Sequence, residues 1–103
     1  MQRSFFHLLG LCQRAGKLVS GDFAVRENMS RGKVKLLLIA MNTSERIKKD
    51  YLRAAELRSV PVSLVFTKEE LGQAMGKSPR ASVAILDDNF ARGIAGLLEK
   101  GEM

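Results

Sequence analysis

Two hydrophobic periods alternate along this chain, one helical and one extended. Phe5, Leu8, Leu9 and Cys12 follow the i, i+3, i+4, i+7 spacing of a helix face. That predicts a first helix to about Ala15, with Ser4 placed to cap it and Gly16 to close it. Lys17 to Ser20 reads as a short edge strand. Asp22 to Arg31 reads as a second helix ending at Gly32, with Val25 and Met29 inward. Lys33 to Ala40 is almost wholly apolar after its basic start, the pattern of a central strand buried on both faces. Thr43 or Ser44 then caps a third helix to about Ser59. Its buried side is expected to carry Ile47, Tyr51, Leu52, Ala54 and Ala55, with Arg46, Lys48, Lys49, Arg53 and Arg58 projecting elsewhere.

The second half continues the alternation. Val62 to Phe66 is an apolar run of strand length entered through Pro61. Thr67 and Glu70 form a T-x-x-E capping box. Leu71, Ala74 and Met75 give the short helix that follows an apolar face, and Gly76 stops it. Ser82 to Leu86 is another buried strand, and Asp87 or Asp88 caps a last helix with Phe90, Ile94, Leu97 and Leu98 inward. Gly101 to Met103 are expected to fray. The alternation predicts an α/β fold, a three-layer α/β/α sandwich on a four-stranded mixed sheet, spanning residues 1–103 as one domain.

Composition sharpens this picture in one respect. Hydrophobic residues make up 46% and charged residues 27%, as in an ordinary globular domain. The charge, however, is uneven. Residues 1–60 hold 12 cations and 5 anions, whereas residues 61–103 hold 5 cations and 6 anions. A basic surplus gathered in one part of the chain points to a polyanion partner. No apolar run reaches membrane-spanning length, so no membrane partner is expected. No secretory signal is visible, and the single Cys12 rules out a disulfide within the chain. A cytoplasmic location and a monomer are the expectations.

Catalytic chemistry finds little support. His7, the lone histidine, lacks Cys, Asp or Glu at metal-ligand spacing. Cys12 falls on the apolar stripe of the first helix, as a core residue would. Asp87-Asp88 and Glu69-Glu70 sit where helices start, which capping and the helix dipole explain. Neither G-x-x-x-x-G-K-[ST] nor G-x-G-x-x-G occurs. The expectation is a protein that is no enzyme, with no catalytic residue, metal site or cofactor.

Three loops have a binding composition instead. Ser20-Gly21-Asp22-Phe23 opens the second helix, where backbone N–H groups and the helix dipole can hold a phosphate. Asp22 can accept from a guanine edge or serve as a plain N-cap. Phe23 can stack on an exposed base, although the expectation is a ring tucked onto the sheet as a hydrophobic contact. Met41-Asn42-Thr43 follows the central strand: Asn42 and Thr43 offer neutral donors and acceptors, and Met41 can pack on a base. Lys77-Ser78-Pro79-Arg80 carries two cations, of which Arg80 can also stack. Arg26 and Lys33 would extend the surface along the second helix. The candidate nucleic-acid-contacting residues are thus Gly21, Asp22, Phe23, Arg26, Lys33, Met41, Asn42, Thr43, Lys77, Ser78 and Arg80, and the resemblance described next makes RNA the expected ligand.

These same segments resemble the ribosomal protein L-seven-Ae type superfamily, the kink-turn RNA binders. The residues that carry the resemblance are Val60-Pro61, the run Lys68-Glu69-Glu70-Leu71-Gly72-Gln73-Ala74-Met75-Gly76, and Val83-Ala84-Ile85. Gly21 stands eleven residues before Gly32, as in the family's glycine-opened RNA-contacting helix, and Val34 to Ala40 matches its central strand. The opening Leu8 to Lys17 resembles the small bacterial YlxQ-type branch. The likeness covers Gly16 to Phe90. It implies convergence of the three loops on one RNA surface, and as partners structured RNA (a kinked helix in ribosomal RNA or an mRNA leader) and the ribosome. Two departures stand out. Where kink-turn binders place Asn-Glu, with a Lys further along the helix, this chain has Phe23-Ala24 and Glu27, and their acidic pair after the central strand is Met41-Asn42. The expected function is therefore non-catalytic, ribosomal-protein-like RNA binding. The alternative is a protein-interaction module on the same fold that has lost specific RNA reading.

Overall fold

The computed structural model of the protein describes residues 2–100. The expectation for Gly101 to Met103 lies outside the described residues. Chain order gives α1 (Gln2–Arg14), β1 (Leu18–Ser20), α2 (Asp22–Ser30), β2 (Leu36–Ile39), α3 (Glu45–Leu57), β3 (Val62–Leu64), α4 (Lys68–Ala74), β4 (Ser82–Ile85) and α5 (Asp88–Glu99). The sheet has four strands in the order β1-β4-β2-β3. β2 and β3 run parallel, while β4 is antiparallel to both β1 and β2.

Side-chain alternation in the strands divides the core into two layers. Leu36, Leu38, Val83 and Ile85 face Phe5, Leu9, Cys12, Leu71, Met75 and Ile94 from α1, α4 and α5. Leu37, Ile39 and Ala84 face Val25, Met29, Tyr51 and Ala55 from α2 and α3. This is the three-layer sandwich that the alternating pattern predicts. β2 and β4 are buried along their whole length, as befits the two inner strands.

Local signals account for the element ends. Thr67 accepts from the Glu70 backbone N–H at 3.1 Å while Glu70 Oε1 accepts from the Thr67 N–H at 2.9 Å, a complete capping box. Asp87 accepts from Phe90 N and Ser44 from Ile47 N, which settles the choice of cap for α5 and α3. Four expectations are corrected. Ser4 lies inside α1 rather than capping it. β2 is shorter than the apolar run that marks it, because Val34 and Lys35 precede the paired segment. β3 ends at Leu64, because Phe66 takes a positive φ of 62° that turns the chain out of the sheet. Ile47 and Leu52 are exposed, since the core-facing side of α3 runs through Tyr51, Ala54 and Ala55.

Candidate functional site

The strand register brings every predicted loop to one rim of the sheet. Ile39 pairs with Leu64 across β3 and with Ser82 across β4, and Ser20 pairs with Val83. The chain leaving β1, β2 and β3 and the chain entering β4 therefore meet at the same end. Backbone bonds tie them together: Gly21 N donates to Ser82 O at 3.3 Å, Ala40 N to Ala81 O at 2.9 Å, Met41 N to Phe66 O at 2.7 Å, and Arg80 N to Lys68 O at 3.0 Å.

Arg80 joins two of the loops through its side chain. Its Nε donates to Ser20 Oγ at 3.2 Å and its Nη1 to Ser78 Oγ at 2.7 Å. The guanidinium is thereby fixed in direction, which lowers the conformational cost of meeting an anion. Lys77 and Ser78 stand exposed beside it. The loop that carries them is seated on Gly72. A Cβ added there would overlap the Ser78 carbonyl oxygen and lie 2.9 Å from Pro79 Cα.

Gly21 is the N-cap of α2 at φ 92°, a conformation that favours glycine. Phe23, in the first turn, is 79% exposed. The expectation of a ring tucked onto the sheet is overturned, because Val25 and Met29 supply the buried face of α2 and Phe23 falls on the solvent side. Met41 is also exposed, at 54%. It borders an apolar groove of about 500 Å³ formed with Ser63, Leu64, Val65, Phe66, Glu70 and Leu98.

Asp22 is neither the cap of α2 nor an unengaged acceptor. The buried Tyr51 of α3 donates its hydroxyl to Asp22 Oδ1 at 2.6 Å and accepts from Ser82 Oγ at 2.9 Å. Arg26 Nε reaches the same Asp22 oxygen at 2.8 Å, and its guanidinium lies 4.6 Å from the Tyr51 ring centroid. The Tyr51 hydroxyl, followed by Arg26, holds the Asp22 carboxyl below the usual carboxylate range. Burial, followed by the bond to Asp22, pushes the Tyr51 phenol up to about 12. One hydroxyl thus locks together the starts of α2 and β4.

Tyr51→Phe is expected to keep the ring packed yet cost about 2 kcal/mol, because Ser82 is left buried without its partner and a charged bond is lost. The Asp22 pKa then rises toward its ordinary value. Since that pKa is depressed in the folded protein, its share of stability is present above the ordinary carboxylate range and disappears as pH falls through the depressed value. The gap between wild type and variant should accordingly narrow in acid. Urea unfolding at several pH values, with an NMR titration of Asp22, checks both; an unchanged Asp22 titration would refute this account of the shift.

Three other predicted site residues are placed differently from their expected roles. Asn42 is exposed, but its carboxamide is engaged along the rim, accepting from Lys68 N at 2.9 Å and donating to Glu69 at 3.1 Å, so it serves the start of α4. Thr43 is 5% exposed, and its Oγ1 has no hydrogen-bond partner among the described residues. Lys33 follows the far end of α2, two residues before Lys35, whose N–H bonds Ile85 O at the opposite end of β4 from Ser82. Sequence reasoning missed Tyr51 and Gly72. The only available signal was a glycine inside an otherwise helical pattern at Gly72, which calls for a packing reason.

Other chemistry-bearing residues lie elsewhere. Cys12 is buried, donates Sγ–H to Lys17 O at 3.3 Å, and is pushed up to about 11 by burial, as befits a core thiol rather than a nucleophile. His7 is exposed on α1. Among the described residues, no three His, Cys, Asp or Glu side chains gather as metal ligands, and no helix is long and apolar enough to cross a membrane.

Comparison with known proteins places this architecture. The model of the ribosomal protein L7Ae/L30e/S12e/Gadd45 family matches residues 4–94. The chain is 34% identical over 95 residues to the RNA-binding protein YlxQ of Bacillus subtilis, covering 92% of this chain and 95% of that one. It is 33% identical over 93 residues to the RNA-binding protein YlxQ of Enterococcus faecium, covering 90% and 89%. A solved structure of a protein of unknown function from Bacillus halodurans superposes with a TM-score of 0.87 at 30% identity, over 92% of this chain and 96% of that one.

Proposed function

Given that the chain belongs to the ribosomal protein L7Ae/L30e/S12e/Gadd45 family, we propose that it is a non-catalytic protein that recognises structured RNA, kink-turns among them, through the loops at one rim of its sheet. The observation that carries this reading is the composition of the rim. Two exposed apolar side chains, Phe23 and Met41, stand among Arg26, Lys77 and the fixed guanidinium of Arg80. Cations contribute phosphate contacts that are independent of sequence, and an exposed ring offers a stacking platform for an unpaired base. Folded RNA supplies both features, because its specific recognition uses splayed nucleotides rather than the closed A-form major groove. The relatives named as RNA-binding proteins add support. Ribosomal RNA or an mRNA leader in the cytoplasm is the setting that fits, with the protein acting as a monomer.

Phe23-Ala24 replaces the Asn-Glu pair of kink-turn binders, so recognition here relies on stacking and shape more than on carboxamide contacts to base edges. The test is titration of a kink-turn RNA against a plain duplex of equal length at fixed, near-physiological salt. A preference of about a thousandfold or more is expected, the range of specific sites. Equal, weak binding that salt erases would overturn the reading. It would favour protein docking instead, for which the apolar groove beside Met41 is the natural surface.

A further inference from the structure

α3 carries a cationic stripe that the loop site does not use. Arg46, Lys49 and Arg53 follow the i, i+3, i+7 spacing on its outer face, opposite the buried Tyr51–Ala55 line. All three are exposed. They line a groove of about 400 Å³ together with Asp50, the one acidic side chain in it. Among the described residues none of the three enters an ion pair or hydrogen bond, whereas Arg26, Arg31 and Lys48 are each matched by an acid on their own helix. Position adds to charge. The Ser44 cap of α3 follows directly on Met41-Asn42-Thr43, so the stripe begins at the rim and runs away from it for about 10 Å, at 1.5 Å per residue.

We propose that this face of α3 is a second nucleic-acid contact, on which Arg46, Lys49 and Arg53 follow the phosphate backbone of a double-stranded RNA arm leaving the rim. The inference deepens the function proposed above and rests on it for the rim contact. Three features select this occupant. Unmatched cations 5–6 Å apart along a straight helix suit a regular row of phosphates. Continuity with the rim lets one RNA reach both surfaces. The groove is lined by Arg46, Lys49, Asp50 and Arg53 without an apolar side chain, which suits a charged backbone rather than the acyl chains of a membrane. A duplex arm offers phosphates and sugars rather than readable bases, so the stripe fixes orientation and adds affinity without adding sequence preference.

The experiment compares one kink-turn RNA built with its outer arm at either 3 or 12 base pairs, together with a plain duplex. The proteins are wild type, Arg46→Gln/Lys49→Gln/Arg53→Gln, and a charge-matched control on the α1 and α5 side, Arg14→Gln/Arg92→Gln/Lys100→Gln. Wild type and control should gain at least tenfold from the longer arm. Their log–log salt slope should steepen by roughly 2 to 3, near 0.9 for each phosphate neutralised. The α3 variant should bind the short-armed RNA as wild type does and gain nothing from the long arm. An arm gain that survives in the α3 variant, or falls equally in the control, would overturn the stripe and leave the rim reading intact. If wild type fails to prefer the kink-turn, the rim reading fails; weak duplex binding lost only in the α3 variant would still support the stripe, and duplex binding equal in all three proteins would overturn it.

Discussion

Gly72→Ala is expected to destabilise the protein by roughly 3 kcal/mol, the upper range for overpacking a tight contact. For a chain of this size that corresponds to a fall in Tm of about 15 °C. Alanine is normally the better helix residue by about 1 kcal/mol, so elsewhere in a helix the exchange would stabilise. Here the added Cβ meets the backbone of Ser78 and Pro79, which cannot step aside as a flexible side chain would. The Gly72 carbonyl also accepts from Lys77 N at 2.8 Å, so the loop is held on both sides of the contact. Gly96→Ala is the matched comparison: it lies in α5, a methyl group there would meet no atom within 4 Å, and the exchange should raise stability slightly. Thermal unfolding of both variants decides the point. A Gly72→Ala protein within a few degrees of wild type would show that the Lys77–Arg80 loop is not seated as described.

Phe23→Ala is expected to weaken RNA binding by about tenfold to a hundredfold, the value of roughly 1–3 kcal/mol for one stacked base. The unfolding midpoint should hardly move, because the ring is 79% exposed and leaves no cavity behind. The salt slope should also stay put, since no charge is removed. Phe23→Tyr, which keeps a ring, should retain most of the affinity. These readouts separate stacking from electrostatics: a substitution that flattened the salt dependence would act through phosphates instead. Unchanged affinity in Phe23→Ala would remove the aromatic platform from the proposed site.

How much of this was legible in the sequence depends on the kind of signal. Periodicity identified all nine elements and the faces of most helices, because burial of one face is a property of spacing alone. Cap chemistry at Thr67 and Glu70 was equally direct. The convergence of the rim loops followed from alternating strands and from the family likeness together. The roles of individual side chains did not follow. Phe23 is the exception: two residues before Val25 and six before Met29, it falls on the opposite face of a helix with 3.6 residues per turn, a local signal that the expectation of a tucked ring overlooked. Asn42 is used up by Lys68 and Glu69, more than twenty residues away, and Tyr51 finds Asp22 and Ser82 at still greater separations. Such pairings are set by strand order, which no local pattern encodes.

That strand order has a consequence for how the protein comes into being. β4 follows the other three strands along the chain, yet it lies between β1 and β2, and it and the loop entering it supply the Ser82 and Arg80 contacts to the rim. A ribosome-bound chain that stops short of Arg80 has no partner for β1, no anchor for Gly21, and no guanidinium across Ser20. The surface therefore cannot be assembled from residues 1–79 alone. Residues 1–60, although they hold most of the cations, cannot present them in their working arrangement without β4.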